Sequence, residues 1–156
     1  MMIRTDHTLL QTALDAAGVS AAEITDHPQL GTLVVLADSG MTPTALAALK
    51  AAGFEQLIDT FGADIDGQVQ ATYRLRSLSL NVDVTLRTQL DYGATLRSVT
   101  DSYASALLAE RELCEMFGLT LTGHPNPKRL LTIDGAPPFL RKEVGLRTKE
   151  ELWQNS

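Results

Sequence analysis

Acidic side chains crowd one short stretch, Glu110-Arg111-Glu112-Leu113-Cys114-Glu115, and His124 follows nine residues after the last of them. Carboxylates and imidazoles hold metals and move protons, so one reading is a small metal-dependent enzyme using Glu110, Glu112 and His124. Spacing argues against it. On a helix Glu110 and Glu112 point about 200° apart, and His124 lies beyond Gly118, so convergence would need the chain to fold back. Glu112 and Glu115 do share a helical face, but with His124 they match no metal-ligand spacing. Cys114 is the only cysteine, which excludes an intrachain disulfide and any thiolate-built cluster or zinc site. The neighbouring carboxylates disfavour its thiolate, so it reads as a small packing residue. His7 and His27 are isolated, and no Ser-His-Asp or Cys-His set can be nominated. No phosphate-cradling glycine loop is present, and Gly62, Gly67 and Gly93 read as turn residues.

The residues that follow the acidic stretch point to docking instead. Beyond Gly118 come Pro125, Pro127, Pro137 and Pro138, which cannot continue a helix, with Lys128, Arg129, Arg141 and Lys142 set between them. Residues 1–123 hold 7 Lys and Arg against 15 Asp and Glu, a net charge of −8, whereas residues 124–149 carry +4. An acidic body thus bears a basic tail, either as a solvated surface or as a strap for an acidic protein neighbour. Nucleic acid is disfavoured, because such a body repels phosphates and only 8 of 156 residues are aromatic, too few for much base stacking.

Positioning these groups requires a folded domain, and 156 residues at 44% hydrophobic and 21% charged suffice for one with its own core. The expected domain covers residues 1–122 and the extended tail 123–156. Apolar spacing predicts a helix over 8–17 stopped by Gly18, strands at 22–26 and 32–37, and a helix capped by Thr42 with Pro43 in its first turn and Gly53 at its end. The run Thr32-Leu33-Val34-Val35-Leu36-Ala37 is apolar enough for a central strand. A strand is expected over 54–58, then a turn spanning Gly62 to Gly67. Alternation at Val69, Ala71, Tyr73 and Leu75, and again at Leu80, Val82, Val84 and Leu86, predicts an antiparallel hairpin in which Arg74 and Arg76 could face Asp83. A last helix is expected over 102–117. The order helix, two strands, helix, three strands, helix and tail gives an α+β fold, a two-layer sandwich. No apolar run approaches the roughly 18–20 residues of a membrane span, and the first residues lack a secretory signal's apolar stretch, so the expected location is cytoplasmic.

The last helix and tail resemble the signature of the C subunit of NADH:quinone oxidoreductase, respiratory complex I, and of the related subunit of membrane-bound nickel-iron hydrogenases. That pattern runs E-R-E-x-Y-D-x-F-G-I, G-H-P, R-R-I-L, P-L-R-K-D. Here it reads Glu110-Arg111-Glu112, Phe117-Gly118-Leu119, Gly123-His124-Pro125, Lys128-Arg129-Leu130-Leu131 and Phe139-Leu140-Arg141-Lys142-Glu143. Tyr73-Arg74-Leu75-Arg76-Ser77-Leu78 is similar to the family's Y-H-L-R-S-L strand, Ser98-Val99-Thr100-Asp101 to its S-V-T-D approach to the helix, and Phe54 to Asp59 to its central strand. The family's Tyr-Asp pair is Cys114-Glu115 here, its usual Trp-Pro is Ser102-Tyr103, and the stretch between Leu131 and Phe139 is short.

The resemblance implies a subunit that binds no cofactor and does no chemistry by itself. It would pack in the hydrophilic arm on the large quinone-site subunit, beside an iron-sulfur subunit, and reach the cytoplasmic face of the membrane only through them. A hydrogenase-type assembly is the alternative. The implied partner-binding residues are Glu110, Arg111, Glu112, His124, Lys128, Arg129, Arg141 and Lys142, with the arginines suited to bidentate bonds to partner carboxylates. Glu110 and Glu112 are the expected anchors of the strap on its own domain, by pairing with Arg129 or Arg141.

Overall fold

The structure, a computed structural model, describes residues 6–145; the expected tail beyond 145 and the first five residues lie outside them. Helix α1, His7–Ala16, is capped by Asp6, whose carboxylate accepts from the Thr8 amide at 2.9 Å, and it buries Leu10 and Leu14. Strands β1, Ala21–His27, and β2, Gly31–Leu36, form an antiparallel hairpin. Helix α2, Thr42–Ala51, follows a 3-10 turn over Ser39–Met41. Here the expected cap differs. Asp38 caps the turn by accepting from the Gly40 amide, while Thr42 gives its hydroxyl to the Ser39 carbonyl at 2.7 Å and leaves the α2 N-terminus without a side-chain acceptor.

Strands β3, Gln56–Ile65, β4, Gln68–Ser77, and β5, Val82–Asp91, make an antiparallel meander. The full sheet has the order β1-β2-β5-β4-β3, with β2 and β5 parallel at its middle. The apolar β2 is therefore interior, as its composition required. Tyr73, Leu75, Val84 and Leu86 share one face with cross-strand partners opposite each other, and Leu10, Leu14, Leu46, Leu49, Phe54, Leu113 and Phe117 join them in a single core. The opposite face carries the long polar side chains. There Arg76 pairs in register with Asp83, and Arg74 and Arg76 approach its carboxylate at 3.7 and 3.6 Å.

Two expectations shift. Gly62 is not a turn residue but lies inside β3, paired with Ala71, and a Cβ there would press into Leu113 and come within 2.7 Å of the Phe117 ring. The missing side chain lets a helix seat directly on the strand. The turn is Asp66-Gly67 alone, both at positive φ. Leu80, expected in a strand, is exposed in the turn that Asn81 closes at φ 52°.

After β5, a three-residue strand β6, Thr95–Arg97, precedes helix α3, Ala106–Phe117. The residues from 102 to 105 form turns rather than the expected first turn of this helix. Helix α3 packs against β3 and ends on Gly118 in the left-handed conformation, φ 68°. Strand β7, Thr120–Thr122, then pairs in parallel with β6, a small second sheet that alternation over three residues could not reveal.

Candidate functional site

The site grows from α3, whose inner face is hydrophobic and whose polar residues at 110, 111 and 115 bind other parts of this chain. Glu110 is fully buried. It accepts from the Ser98 hydroxyl at 2.6 Å and from the Val99 amide at 2.7 Å, pinning the segment before α3 to the helix. Burial pushes its carboxyl up, opposed by those two bonds and by His124. Cys114 beside it is buried, and burial together with Glu110 pushes its thiol up to about 12, which suits a packing residue. Glu112 points to solvent and does not converge with Glu110 or His124. Among the described residues no group of three His, Cys, Asp or Glu side chains is arranged to hold a metal.

Residues 123–145 form the strap, which lies against the body and is fastened in three places. The first is His124. Its Nδ1 accepts from the Asn126 amide at 2.9 Å, so Nε2 carries the proton and donates to the Leu107 carbonyl at 2.8 Å. The second joins Arg111 and Glu115, one helical turn apart. Arg111 donates to the carbonyls of Lys128 and Arg129 at 2.7 and 2.9 Å. Glu115 accepts from the amides of Leu130, Leu131 and Thr132 and from the Thr132 hydroxyl. One side chain thus takes the carbonyls and the other the amides of the same backbone. Burial disfavours the Glu115 carboxylate, but the bonds from Thr132, Leu130 and Leu131 outweigh it and bring it down to about 2.

The third fastening is Arg141. Its guanidinium donates to the carbonyls of Phe117 and Gly118 at 2.6 and 3.0 Å, at the negative end of α3, and stacks 4.2 Å from the centre of the Tyr92 ring. Asp64 closes this end by accepting from the Tyr92 hydroxyl at 2.5 Å and from the Lys142 amide at 2.7 Å. Those bonds hold Asp64 below the usual carboxylate range, and the bond to Asp64 together with burial pushes the Tyr92 phenol up to about 12.

The internal anchor is thus Glu115, not Glu110 or Glu112. Arg129 lies 4.0 Å from Glu115 and gives its donors to the Thr132 hydroxyl and the Ala136 carbonyl. Of the expected site residues, Glu110, Arg111, His124, Arg129 and Arg141 spend polar atoms inside the chain, while Glu112, Lys128 and Lys142 are exposed or half-exposed. Sequence reasoning missed Glu115, Asp64 and Tyr92. The i, i+4 placement of Arg111 and Glu115, facing a proline-rich segment whose amides have no strand partner, was the available signal. A cavity of about 250 Å³ remains under the strap, lined by Cys114, Gly118, Leu119, Pro127 and Pro138 among others.

A sequence model of the respiratory-chain NADH dehydrogenase 30 Kd subunit family matches residues 24–150. The chain belongs to this family. The C subunit of the NADH-quinone oxidoreductase of Paramagnetospirillum magneticum is 35% identical over 105 residues, 64% of this chain and 52% of the relative. That of Xanthobacter autotrophicus is 32% identical over 141 residues, 82% of this chain and 66% of the relative. The chain spans about half the length of the curated relatives it matches, 52%, 40% and 46% in three of them. A chain in the structure of an archaeal respiratory membrane complex, the membrane-bound sulfane sulfur reductase, shares the fold. Its TM-score is 0.75 at 16% identity, over 96% of this chain and 89% of that one. In this 30 Kd family member the resemblance in the tail falls on the fastened strap. No helix among the described residues is long and apolar enough to cross a membrane.

Proposed function

We propose that this chain is a non-catalytic scaffold subunit in the hydrophilic arm of an NADH:quinone oxidoreductase-type complex, docking on the large quinone-site subunit through residues 110–142. One observation carries the reading. The strap's arginines, His124 and much of its backbone bond inward to its own chain, while Leu131, Ile133, Phe139 and Leu140 turn out along with the charged Lys128, Asp134, Lys142 and Glu143. A segment fixed in this way supplies a shaped surface to a neighbour and loses little freedom on binding. Glu112, Lys128 and Lys142 are the direct polar contacts in this reading; Glu110, Arg111, His124, Arg129 and Arg141 shape the surface from within. The chain reaches the cytoplasmic face of the membrane through its partners, an iron-sulfur subunit being the second neighbour. The shared fold with the archaeal sulfane sulfur reductase chain supports a second reading, the corresponding member of a hydrogenase-type assembly.

Purification of the tagged full chain from membranes of its own cells tests both. The expected result is recovery of the large and iron-sulfur subunits with NADH:quinone reductase activity; hydrogen or sulfur turnover in the same fraction selects the second reading. Lys128→Glu is the diagnostic variant, because no described bond holds that side chain, whereas reversal at Lys142 sets a like charge beside Asp64 and reversal at Arg129 or Arg141 breaks internal fastenings. This variant should lower recovery about tenfold with an unchanged melting temperature. Recovery of the wild-type chain alone would overturn both readings.

A further inference from the structure

The strap's geometry around Glu115 singles out one short segment. Three consecutive amides, of Leu130, Leu131 and Thr132, converge on the Glu115 carboxylate, and the Thr132 hydroxyl joins them. Arg129 braces the same loop from the side by reaching Thr132 and Ala136. The Ala136 amide closes the turn onto the Ile133 carbonyl, with Gly135 at φ 83°. With Thr132 turned inward, its two neighbours turn outward: Leu131 is 62% exposed and Ile133 82% exposed. A single exposed apolar residue on a loose loop is ordinary. Two of them projecting from a loop braced by a buried carboxylate and an arginine are a different case, since the bracing has already fixed their positions.

We infer that Leu131 and Ile133 form a preformed apolar knob that seats in an apolar recess on the neighbouring large subunit, with a carboxylate opposite Lys128 and a cation opposite Asp134. The inference rests on the docking reading above and adds which residues carry the contact. The apolar character of the recess follows from the two side chains. The charges on its border follow from the two exposed residues that flank the knob in the chain, Lys128 before Leu131 and Asp134 directly after Ile133, which call for one partner charge of each sign. Central apolar anchors ringed by polar contacts are where interfaces concentrate their binding energy. Glu115 is a positioning residue in this arrangement, because it touches the strap and not the partner.

The test uses the full chain in its native complex. Ile133→Asp and Leu131→Asp should each lower the amount of chain recovered with the large subunit about tenfold or more, while the melting temperature of the isolated chain stays at the wild-type value. Phe61→Asp, an exposed apolar site on β3, should be recovered as wild type. A photoreactive phenylalanine derivative in place of Ile133 should crosslink to the large subunit, a readout that needs no charge in the knob. Wild-type recovery of Ile133→Asp, equal loss with Phe61→Asp, or a crosslink to a second copy of this chain would each overturn the knob. If the wild-type chain still co-purifies, the docking reading survives that failure. If it does not, the docking reading itself has fallen.

Discussion

Glu115 shows how a single carboxylate can fix a stretch of backbone. Its ordinary value of 4.5 is lowered to about 2 by the bonds from Thr132, Leu130 and Leu131, which outweigh its burial. The sign follows from the lowering: the group contributes stability that is complete above the unfolded value and lost as pH falls toward the folded one. The amide resonances of Leu130, Leu131 and Thr132 should therefore hold steady down to about pH 4.5 and move only below it, toward about pH 2. In Glu115→Gln they should already be displaced at neutral pH, because the amide NH₂ meets donors instead of accepting from them, and the acid transition should vanish. A midpoint near the ordinary value would contradict this account.

Of these side-chain roles, the sequence made legible the packing cysteine, the opposite directions of Glu110 and Glu112 and the pairing of Arg74 and Arg76 with Asp83. Glu115 was hidden because its partners are backbone amides, which carry no residue-type signal. Tyr73 was legible as a core residue but not as one whose hydroxyl is buried without a partner among the described residues; burial raises its phenol, with Glu110 and Cys114 adding to the effect.

Helix α3 and strand β3 are joined at the level of elements by an absence, the side chain of Gly62. Leu113 and Phe117 occupy the space its Cβ would take. Gly62→Ala should force the helix off the strand and lower stability by about 2–3 kcal/mol in denaturant unfolding, with the strap loosened because its fastenings sit on the same helix. A variant as stable as wild type would show that the helix seat can relax freely. Long periodic stretches declared themselves in the sequence, so α1, β1, β2, α2, β4 and β5 fall within a few residues of their expected bounds. What periodicity could not show were contacts made across the fold: the reach of β3 through Gly62, the late start of α3 after its turns, and the three-residue β6 and β7, too short for any alternation.

The whole molecule divides its charge as the sequence indicated, an acidic body under a basic strap, and the structure adds that the two are fastened to each other. The strap is thus a built part of the chain's surface. The composition carried the asymmetry, but which cations face outward depended on the fastenings of Arg111, Arg129 and Arg141.

The parallel seam between β2 and β5, four pairs from Thr32–Val84 to Val35–Arg87, has a consequence for biosynthesis. Both β2 and β4 need β5 as a neighbour, so everything translated before Val82 waits with two unfinished borders. A fragment ending at Asn81 holds four of the five strands of the main sheet and should nevertheless remain without cooperative melting in circular dichroism. Extension through Asp91 supplies the keystone strand; a truncated polypeptide that melts sharply without it would show that the first half of the sheet is self-sufficient.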